Sequence, residues 1–278
     1  MSAILCVFIV FDLKIMGAYT IVPNNYFLEL RLMVLIEKYI SGVMRNSVLD
    51  SLNVEDLKDV LNHAEFVKLN RGVIIAPSFK PLEHVYFVTS GMVSLSLTLS
   101  DGAVVETGVV GSEGTVGWQA IVELDAGPID ATVQIDMTGY RVKASQMIAL
   151  SDRIKPLRKA IIQAVQGTLD QVSQSAACSQ RHTSTQRLAK WLLMAGDRSP
   201  EPTLHFSHEG LSILLGIRRA GVTVAMGELR RSGCVTNGHS KITITNRDRL
   251  ELSACECYSA LKNEAQRRSS LISSLNQG

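Results

Sequence analysis

Residues 206–231 carry the side chains whose types and spacing most clearly suggest a chemical role. Two short apolar segments flank Gly216, and two adjacent arginines, Arg218 and Arg219, follow this glycine. A helix-turn-helix needs a small residue on its first helix, here Ser212, and a glycine in its turn. The apolar positions expected to face inward are Leu211, Leu215, Ile217, Val222 and Ala225. The pattern predicts two closely crossing helices, the second of which begins near Arg218.

The outward side chains of this pair have the chemistry of nucleic-acid recognition. Arginine can donate two hydrogen bonds to guanine O6 and N7 in the major groove, where recognition helices insert their N-terminal residues. Basic side chains further along such a helix suit phosphates, which add affinity without sequence information. We expect DNA contacts from eight side chains in this region: Ser207, His208, Arg218, Arg219, Thr223, Arg230, Arg231 and Lys241.

A helical hairpin that merely packs, with solvated arginines, is the simpler alternative. The segments that follow weaken it, because β-prone residues 234–236 and 241–245 surround the turn-forming residues 237–240. A hairpin in this position makes the unit a winged helix, with His239 and Lys241 near the tip of the wing. Gly221 and Gly227 speak against an ideal recognition helix, since each costs about 1 kcal/mol relative to alanine.

Charge separates this part of the chain from the rest. The 278 residues have a net charge of only +2. Residues 181–278 carry 14 lysines and arginines against 8 acids, whereas residues 1–180 carry 14 against 18. Such asymmetry is typical of an anion-binding module at one end of a chain.

The acidic part has the pattern of a helical entry followed by short strands. Residues 47–62 predict amphipathic helical pieces, with Asn53 as a helix start. From about residue 64 the period changes to two, most cleanly in residues 93–99. Further strands are expected at 104–110, 131–135 and 140–142, with glycines such as Gly91 and Gly139 as the turns between them. Many short strands separated by glycines predict a β-barrel or roll.

Residues 152–181 predict one long helix with Pro156 in its first turn. Its apolar stripe comprises Ile154, Leu157, Ile161, Val165, Leu169, Val172 and Ala176. This stripe could cover the roll alone, but it is longer than a small roll needs, so we favour a helix pair between two copies of the chain. Thr183 and Gln186 match the capping box at the start of the next helix.

The five cysteines form an odd, scattered set, which favours a reducing cytoplasm over a disulfide framework. Cys255 and Cys257, with His239 near in sequence, could form a metal or redox pair. Small apolar thiols under a helix are the favoured interpretation, so no metal is expected. The apolar segment 3–11 is too short to span a bilayer. Residues 1–43 are interpreted as a peripheral extension, with Met44 as an alternative start, rather than as a membrane segment.

Four motifs in order resemble the Crp/Fnr family of bacterial transcription regulators, over roughly residues 47–258. They are EHVYF at 83–87 with Ser90-Gly91, GSEGTVG at 111–117, RLAKWLLMAGDR at 187–198 and LGIRRAGVT at 215–223. The resemblance implies an α+β fold: an N-terminal cyclic-nucleotide-binding-like β-roll, a long dimerisation helix and a C-terminal winged helix-turn-helix. The expected divisions are 1–43 (extension), 44–150 (roll), 151–182 (dimerisation helix), 183–250 (DNA-binding domain) and 251–278 (helical tail).

The resemblance implies a dimeric regulator in the cytoplasm that binds a pseudo-palindromic site in double-stranded DNA and has RNA polymerase as a protein partner. The family's guanine-contacting arginine falls on Arg219. Many members have an acidic residue next, where this chain has Ala220, so their target site is not carried over. The alternative function is a ligand sensor whose winged helix docks a protein instead of DNA.

The resemblance also implies that the nucleotide site is degenerate. The family's ribose-binding glutamate position holds Thr115, and its Arg-Ser pair falls on Ile129-Asp130, beside Glu123 and Asp125. A phosphate there would be repelled. An iron–sulfur cluster needs grouped cysteines before the roll, and His63 and His84 are only isolated candidates for haem. The sequence therefore predicts no cofactor, no catalytic residue and no enzymatic activity, and it leaves the effector unknown.

Overall fold

A computed structural model describes residues 45–124 and 126–275, with side chains described as far as residue 268. The predicted extension 1–43, the alternative start at Met44, Cys6 and Asp125 lie outside the described residues.

Two short helices, α1 (Ser47–Asp50) and α2 (Val54–Asn62), precede the sheet. The side chain of Asn53 accepts a hydrogen bond from the amide of Asp56, which confirms the predicted start of α2. The apolar side expected for this segment is buried: Leu49, Leu52, Leu57, Val60 and Leu61. These leucines and valines form one core with the sheet behind them.

Six strands form an antiparallel sheet. They are β1 (Ala64–Leu69), β2 (Ile74–Ala76), β3 (His84–Thr98), β4 (Val104–Val110), β5 (Thr115–Val116) and β6 (Ile129–Lys143). The main path runs β1-β6-β3-β4, with β2 on β6 and β5 on β3. A 3₁₀ helix, Trp118–Val122, follows β5. The two long strands pair over almost their whole length, from His84 opposite Lys143 to Leu97 opposite Ile129.

Two glycines expected at turns lie inside strands instead. Gly91 sits within β3 at φ +83°, where the pairing with β6 shifts register. Gly139 sits within β6, so residues 131–142 form part of one strand and not two. A Cβ atom at Gly139 would lie 2.5 Å from the carbonyl oxygen of Phe87. These glycines therefore allow a bulge and a close backbone approach, two roles that resemble a turn in sequence.

The long helix is preceded by a separate helix. Helix α3 (Ala144–Arg153) is followed by its C-cap residue Ile154, and α4 runs from Lys155 to Arg181 with Pro156 in its first turn. Leu157 and Ile161 are buried against the roll. The first part of the predicted apolar stripe therefore covers the chain's own domain.

The C-terminal part begins at α5 (Ser184–Arg198), where Thr183 and Gln186 make the predicted capping box. It continues with β7 (Thr203–His205), α6 (His208–Leu215), α7 (Arg219–Arg231), β8 (Val235–Gly238), β9 (Lys241–Ile244), α8 (Arg247–Ser253) and α9 (Cys257–Leu275). The three strands form a small sheet in the order β7-β9-β8, of which β7 was not expected from the sequence. The expected fold class is thereby confirmed: a roll, a long helix and a winged helix-turn-helix.

Among the described residues, no single helix is long and apolar enough to cross a membrane. Helices α6 and α7 satisfy that test only when taken together, and they are bent by 107° relative to each other.

The roll and the C-terminal part share one core. Met92 of β3 and Val109 of β4 pack into the cluster built by α5, α6 and α7. The Trp191 and Phe206 rings meet edge to face at 4.8 Å, and the Arg71 guanidinium lies 4.3 Å from the Phe206 centroid. Helix α6 is thereby held against the roll.

Candidate nucleic-acid interface

The turn between α6 and α7 has the geometry that the sequence predicts. Gly216 adopts the left-handed conformation (φ 59°, ψ 42°) and ends α6. Its conformation is one that residues with a Cβ atom rarely adopt, which explains the glycine. Ser212 is buried at the crossing point. The Arg187 guanidinium donates a hydrogen bond to the Leu215 carbonyl, which anchors the turn to α5.

The inward faces of the two helices pack as expected. Leu211, Leu215, Val222 and Ala225 are buried, and Ile217 is partly buried against them. They rest on Leu188, Trp191, Leu192 and Ala195 of α5. The opposite face of α7 is left to solvent.

Arg218 and Arg219 stand at the exposed start of α7. Arg218 is the extended N-cap residue, and no side chain caps the helix there. The Arg219 side chain is 72% exposed, and its Nε lies 3.8 Å from Glu209 Oε2 on α6. An exposed pair at this distance adds little stability, so Arg219 can exchange its partner at small cost.

Three other predicted contact residues make hydrogen bonds within the protein. Ser207 Oγ accepts from the amide of Gly210 and caps α6. Thr223 Oγ1 donates to the Arg219 carbonyl at 3.1 Å, and His208 Nδ1 lies 3.0 Å from Thr223 Oγ1. Because the hydroxyl proton is already engaged, Nδ1 is assigned as the donor. This chain of bonds brings His208, Thr223 and Arg219 together and ties the start of α6 to the first turn of α7.

The remaining predicted side chains lie apart from this group. Arg230 and Arg231 are exposed in the last turn of α7, where Arg231 Nε donates to the Gly227 carbonyl. Lys241 is exposed at the first position of β9, directly after the wing turn. His239 and Ser240 form that turn with positive φ values of 50° and 63°.

Sequence reasoning missed two residues at the exposed start of α7, one on α7 itself and one on α6. Val224 is 60% exposed and lies one turn after Ala220, beside Arg219 and Thr223. Apolar side chains in this position can contact the thymine methyl group in the major groove. Val224 was visible in the sequence as an apolar residue outside the inward-facing set. Glu209, the partner of Arg219, gave no signal because it lies on another helix.

A cation from α5, Arg198, lies against the glycine-rich turn of the roll, where the sequence predicted none. Arg198 of α5 donates two hydrogen bonds to Glu113 Oε1, at 2.7 and 3.1 Å, beside Gly111. Burial alone would raise the pKa of Glu113, but the charge and hydrogen bonds of Arg198 hold it below its usual value. Both residues line a cavity of about 300 Å³ between the roll, α4 and α9. The cation is thus already paired with a carboxylate.

The residues at the family's nucleotide-contacting positions are engaged in the fold. Thr115 is buried in β5. Asp130 Oδ1 accepts a hydrogen bond from the amide of Ser78 at 2.7 Å, and Ile129 begins β6. Asp130 therefore fastens the start of β6 to a neighbouring loop.

The less favoured alternative, a metal or redox pair of Cys255 and Cys257 near His239, is not supported with that histidine. His239 lies in the exposed wing turn, whereas Cys255 and Cys257 are buried beside Cys178 and His182. The neighbours of Cys255 and Cys257 are therefore Cys178 and His182, which lie more than 70 positions earlier in the sequence, and not His239.

Comparison with known families assigns both parts of the chain. The Crp-like helix-turn-helix domain matches residues 186–252, and the cyclic nucleotide-binding domain matches residues 66–153. Together the two matches cover more than half of the sequence. The chain belongs to the Crp/Fnr family. No curated protein sequence matches it.

Solved structures share the fold of this Crp/Fnr protein at low sequence identity. FixK2 from Bradyrhizobium japonicum is 21% identical, with a TM-score of 0.58 over 69% of this chain and 98% of its own. The c-di-GMP-responsive regulator CLP from Xanthomonas campestris is 18% identical, with a TM-score of 0.56 over 70% and 100%. A CRP-family transcriptional regulator from Thermus thermophilus is 18% identical, with a TM-score of 0.58 over 68% and 96%.

Proposed function

We propose that this Crp/Fnr protein is a homodimeric, sequence-specific transcription regulator in the cytoplasm, and that α7 of each copy enters the major groove of a two-fold related DNA site. The exposed start of α7 carries this proposal. Arg218, Arg219, Ala220 and Val224 offer a guanine-binding cation and an apolar surface on one helix, above a rigid core. RNA polymerase is the partner through which such binding would alter transcription.

The phosphate backbone would be held by the surrounding basic side chains. Arg230 and Arg231 lie one helix length from Arg219, and Lys241 extends from the wing. In a winged helix these places suit phosphates on either side of the groove. Each cation at a phosphate steepens the salt dependence of binding, whereas Arg219 at a base would change which sequence is preferred.

The long helix α4 provides a face for the second copy. Its exposed side chains Ile162, Gln166, Leu169, Ser173 and Ala176 recur at alternating steps of four and three residues. This spacing is the heptad repeat of paired helices. Two copies joined along α4 would present two α7 helices, which suits half-sites about 34 Å apart on DNA.

We also propose that the roll works without a cyclic nucleotide in its glycine-rich turn. Glu113 already neutralises Arg198, and a phosphate would have to displace the Glu113 carboxylate from this guanidinium. CLP, one of the similar structures, is a c-di-GMP-responsive regulator, so c-di-GMP belongs among the nucleotides to be tested. Calorimetric titration with cAMP, cGMP and c-di-GMP is expected to show no binding, and a stoichiometric heat for any of them would overturn this part of the proposal.

Selection of sites from random DNA tests the main proposal. The purified protein is expected to enrich a site with two-fold symmetry. Arg219→Ala should then bind that site at least about 30-fold more weakly, because the dimer loses two bidentate guanine contacts of about 1–3 kcal/mol each. Its affinity for unrelated DNA should change little. Arg153→Ala, which alters an exposed arginine of the roll, is the matched control.

Two results would contradict the proposal. One is equal affinity of Arg219→Ala and the unaltered protein for the selected site. The other is failure to enrich any sequence, together with DNA affinity that does not depend on salt; this would favour a winged helix that docks a protein.

A further inference from the structure

Four metal-ligating side chains converge at the C-terminal end of α4. Cys178, His182, Cys255 and Cys257 each offer one ligand atom, and these atoms all lie within 4.8 Å of one another. Cys178 Sγ lies 3.6 Å from Cys255 Sγ, and Cys257 Sγ lies 3.5 Å from His182 Nδ1. The cluster lies outside the DNA-contacting face and takes no part in the proposed function.

The backbone brings these residues together from two distant parts of the chain. Cys178 and His182 are one helical turn apart, so their side chains lie on the same face at the end of α4. Cys255 and Cys257 lie on either side of Glu256, in the short connection from α8 to the start of α9. One pair thus comes from a helix end and the other from a tight connection between two helices.

We propose that Cys178, His182, Cys255 and Cys257 bind one thiophilic divalent cation, with Zn²⁺ as the best-matched ion. Tetrahedral Zn²⁺ with Zn–S bonds of about 2.3 Å and a Zn–N bond of about 2.0 Å places its sulfur ligands about 3.8 Å apart and its sulfur and nitrogen ligands about 3.5 Å apart. The two observed distances of 3.6 and 3.5 Å fit this geometry. A Cys₃His set is one of the usual closed, structural zinc sites.

Neighbouring side chains orient the ligands as expected of a metal site. His182 Nε2 lies 3.1 Å from Glu256 Oε1, so a proton on Nε2 leaves Nδ1 free to bind a cation. Gln174 Nε2 donates to Cys257 Sγ at 3.0 Å, a bond that suits a thiolate acceptor. The buried ammonium group of Lys190 is close enough to interact electrostatically with Cys178 and would offset the negative charge of three thiolates around a divalent ion.

Burial distinguishes the cluster from a surface group of cysteines. All three thiols are buried, while the His182 side chain is 15% exposed and leaves a path for an ion. Cys234 shows the contrasting case. It is equally buried, but its sulfur lies near the hydroxyls of Ser232 and Ser253, and no group of metal-ligating side chains among the described residues includes it. The favoured sequence interpretation, small apolar thiols, therefore fits Cys234 but not the cluster.

A bound cation would fasten the long helix to the segment that follows the wing. Ligands from α4 lie on one side and ligands from the α8–α9 connection on the other. Because the helix-turn-helix lies between these two segments in sequence, the site would limit how far the C-terminal domain can move relative to α4. The expected consequence is lower stability when the metal is removed.

Metal analysis of the full, untagged protein tests this inference. The protein purified under reducing conditions should contain about one zinc ion per chain, as measured by inductively coupled plasma mass spectrometry. After chelation, titration with Co²⁺ should give the intense visible bands of tetrahedral coordination and a thiolate-to-metal band in the near ultraviolet. Both signals should saturate at one ion per chain.

Five variants separate the proposed ligands from buried thiols in general. Cys178→Ser and Cys257→Ser should lose stoichiometric binding, whereas Cys234→Ser should keep it and serves as the matched control. His182→Cys should retain one Co²⁺ ion per chain with a stronger thiolate band, which shows ligation even if the serine variants fold poorly. Glu256→Gln should bind one ion with affinity reduced about 10- to 100-fold, because it orients His182 without touching the metal.

The inference is overturned by any of three results. The unaltered protein could fail to bind Zn²⁺ or Co²⁺ stoichiometrically. Cys234→Ser could lose the metal to the same extent as Cys178→Ser. Finally, the purified protein could contain iron with acid-labile sulfide, or a Cys178–Cys255 disulfide under reducing conditions, instead of a single cation.

Discussion

Trp191 Nε1 donates a hydrogen bond of 2.8 Å to Glu106 Oε1, across the boundary between the C-terminal domain and the roll. Glu106 lies on β4 and is half-buried there, with its Oε2 atom inaccessible to solvent. Burial is the largest influence and raises the pKa of Glu106 to about 7, although the nearby Ser94 hydroxyl, the hydrogen bond from Trp191 and the charges of Lys190 and Arg198 oppose it. The contact between the two domains thus contains a carboxyl group that titrates near neutral pH.

This pKa predicts that stability falls as the pH rises. A carboxyl group with a raised pKa in the folded protein binds more protons folded than unfolded between pH 4.5 and about 7. Its contribution is therefore present at low pH and is lost as the pH rises through about 7. The difference from the ordinary value of 4.5 corresponds to roughly 3 kcal/mol at most.

Glu106→Gln should remove this dependence, because glutamine keeps an acceptor for Trp191 and carries no charge. Urea unfolding at pH 5 and pH 8 measures the free energy of unfolding of both proteins. The variant is expected to gain stability relative to the unaltered protein at pH 8 and little at pH 5. Glu201→Gln, an exposed acid, should show no such difference. Parallel pH curves for Glu106→Gln and the unaltered protein would contradict the prediction.

The wing turn contains two residues in an unfavourable backbone conformation. His239 and Ser240 both have positive φ values, which cost roughly 1–2 kcal/mol for residues with a Cβ atom. A two-residue hairpin turn of this kind favours glycine. Ser240→Gly should therefore raise the free energy of unfolding by about 1 kcal/mol. Thermal and urea unfolding check this value.

Gly238→Ala is the control for this substitution. Gly238 is extended within β8, and a Cβ atom there would meet no neighbour within 4 Å. Its replacement should change stability by less than about 0.5 kcal/mol. A loss of stability in Ser240→Gly would show that the serine side chain supports the wing, contrary to the argument from its backbone.

Local signals in the sequence predicted much of the fold. The capping box at Thr183 and Gln186, the N-cap at Asn53 and the turn at Gly216 each depend on residues within a few positions, and all three are present. The alternating residues 93–99 likewise lie in β3 almost entirely. The prediction of turns at Gly91 and Gly139 was wrong, because a glycine at a bulge or at a close backbone approach has the same local sequence signature as a glycine in a turn.

Contacts between distant residues could not be predicted in this way. Arg198 and Glu113 are 85 positions apart, and Cys178 and Cys255 are 77 positions apart. Their types were visible, but nothing local shows that α5 reaches the glycine-rich turn or that the α8–α9 connection reaches the end of α4. The exposure of the residues at the start of α7 was predictable from the helical period of its apolar residues. The position of the Glu209 carboxylate beside Arg219 was not.

Glu209 makes a prediction about DNA affinity. It is exposed on α6, beside Arg219, where its charge would repel DNA phosphates. Glu209→Gln should raise affinity for specific and unrelated DNA alike by a few-fold at low salt, with less effect at high salt. The free energy of unfolding should change by less than about 0.5 kcal/mol.

Fluorescence anisotropy over a range of salt concentrations measures this effect. Glu55→Gln, which removes an exposed acid from α2 of the roll, is the control for net charge. An equal gain in both variants would mean that overall charge, and not the position of Glu209 beside Arg219, determines the affinity.

The exposed side of α4 gives the test of the proposed dimer. Leu169 is 56% exposed at the middle of the helix, and Ile162 is exposed seven residues earlier on the same face. Neither side chain belongs to a buried core cluster, so a charge at Leu169 should leave the single chain folded. Within a helix pair the same charge would lie opposite its own copy, where it is both desolvated and repelled.

Leu169→Asp is therefore expected to weaken self-association at least about 100-fold, a loss of roughly 3 kcal/mol, while circular dichroism remains unchanged. Sedimentation velocity at several concentrations measures the equilibrium. Leu252→Asp, which alters an exposed leucine at the end of α8, is the control and should associate normally. If tight DNA binding requires the dimer, Leu169→Asp should also lose affinity for a duplex with two half-sites but not for a duplex with one half-site. An unaltered dimer in Leu169→Asp would show that this face of α4 is not the seam.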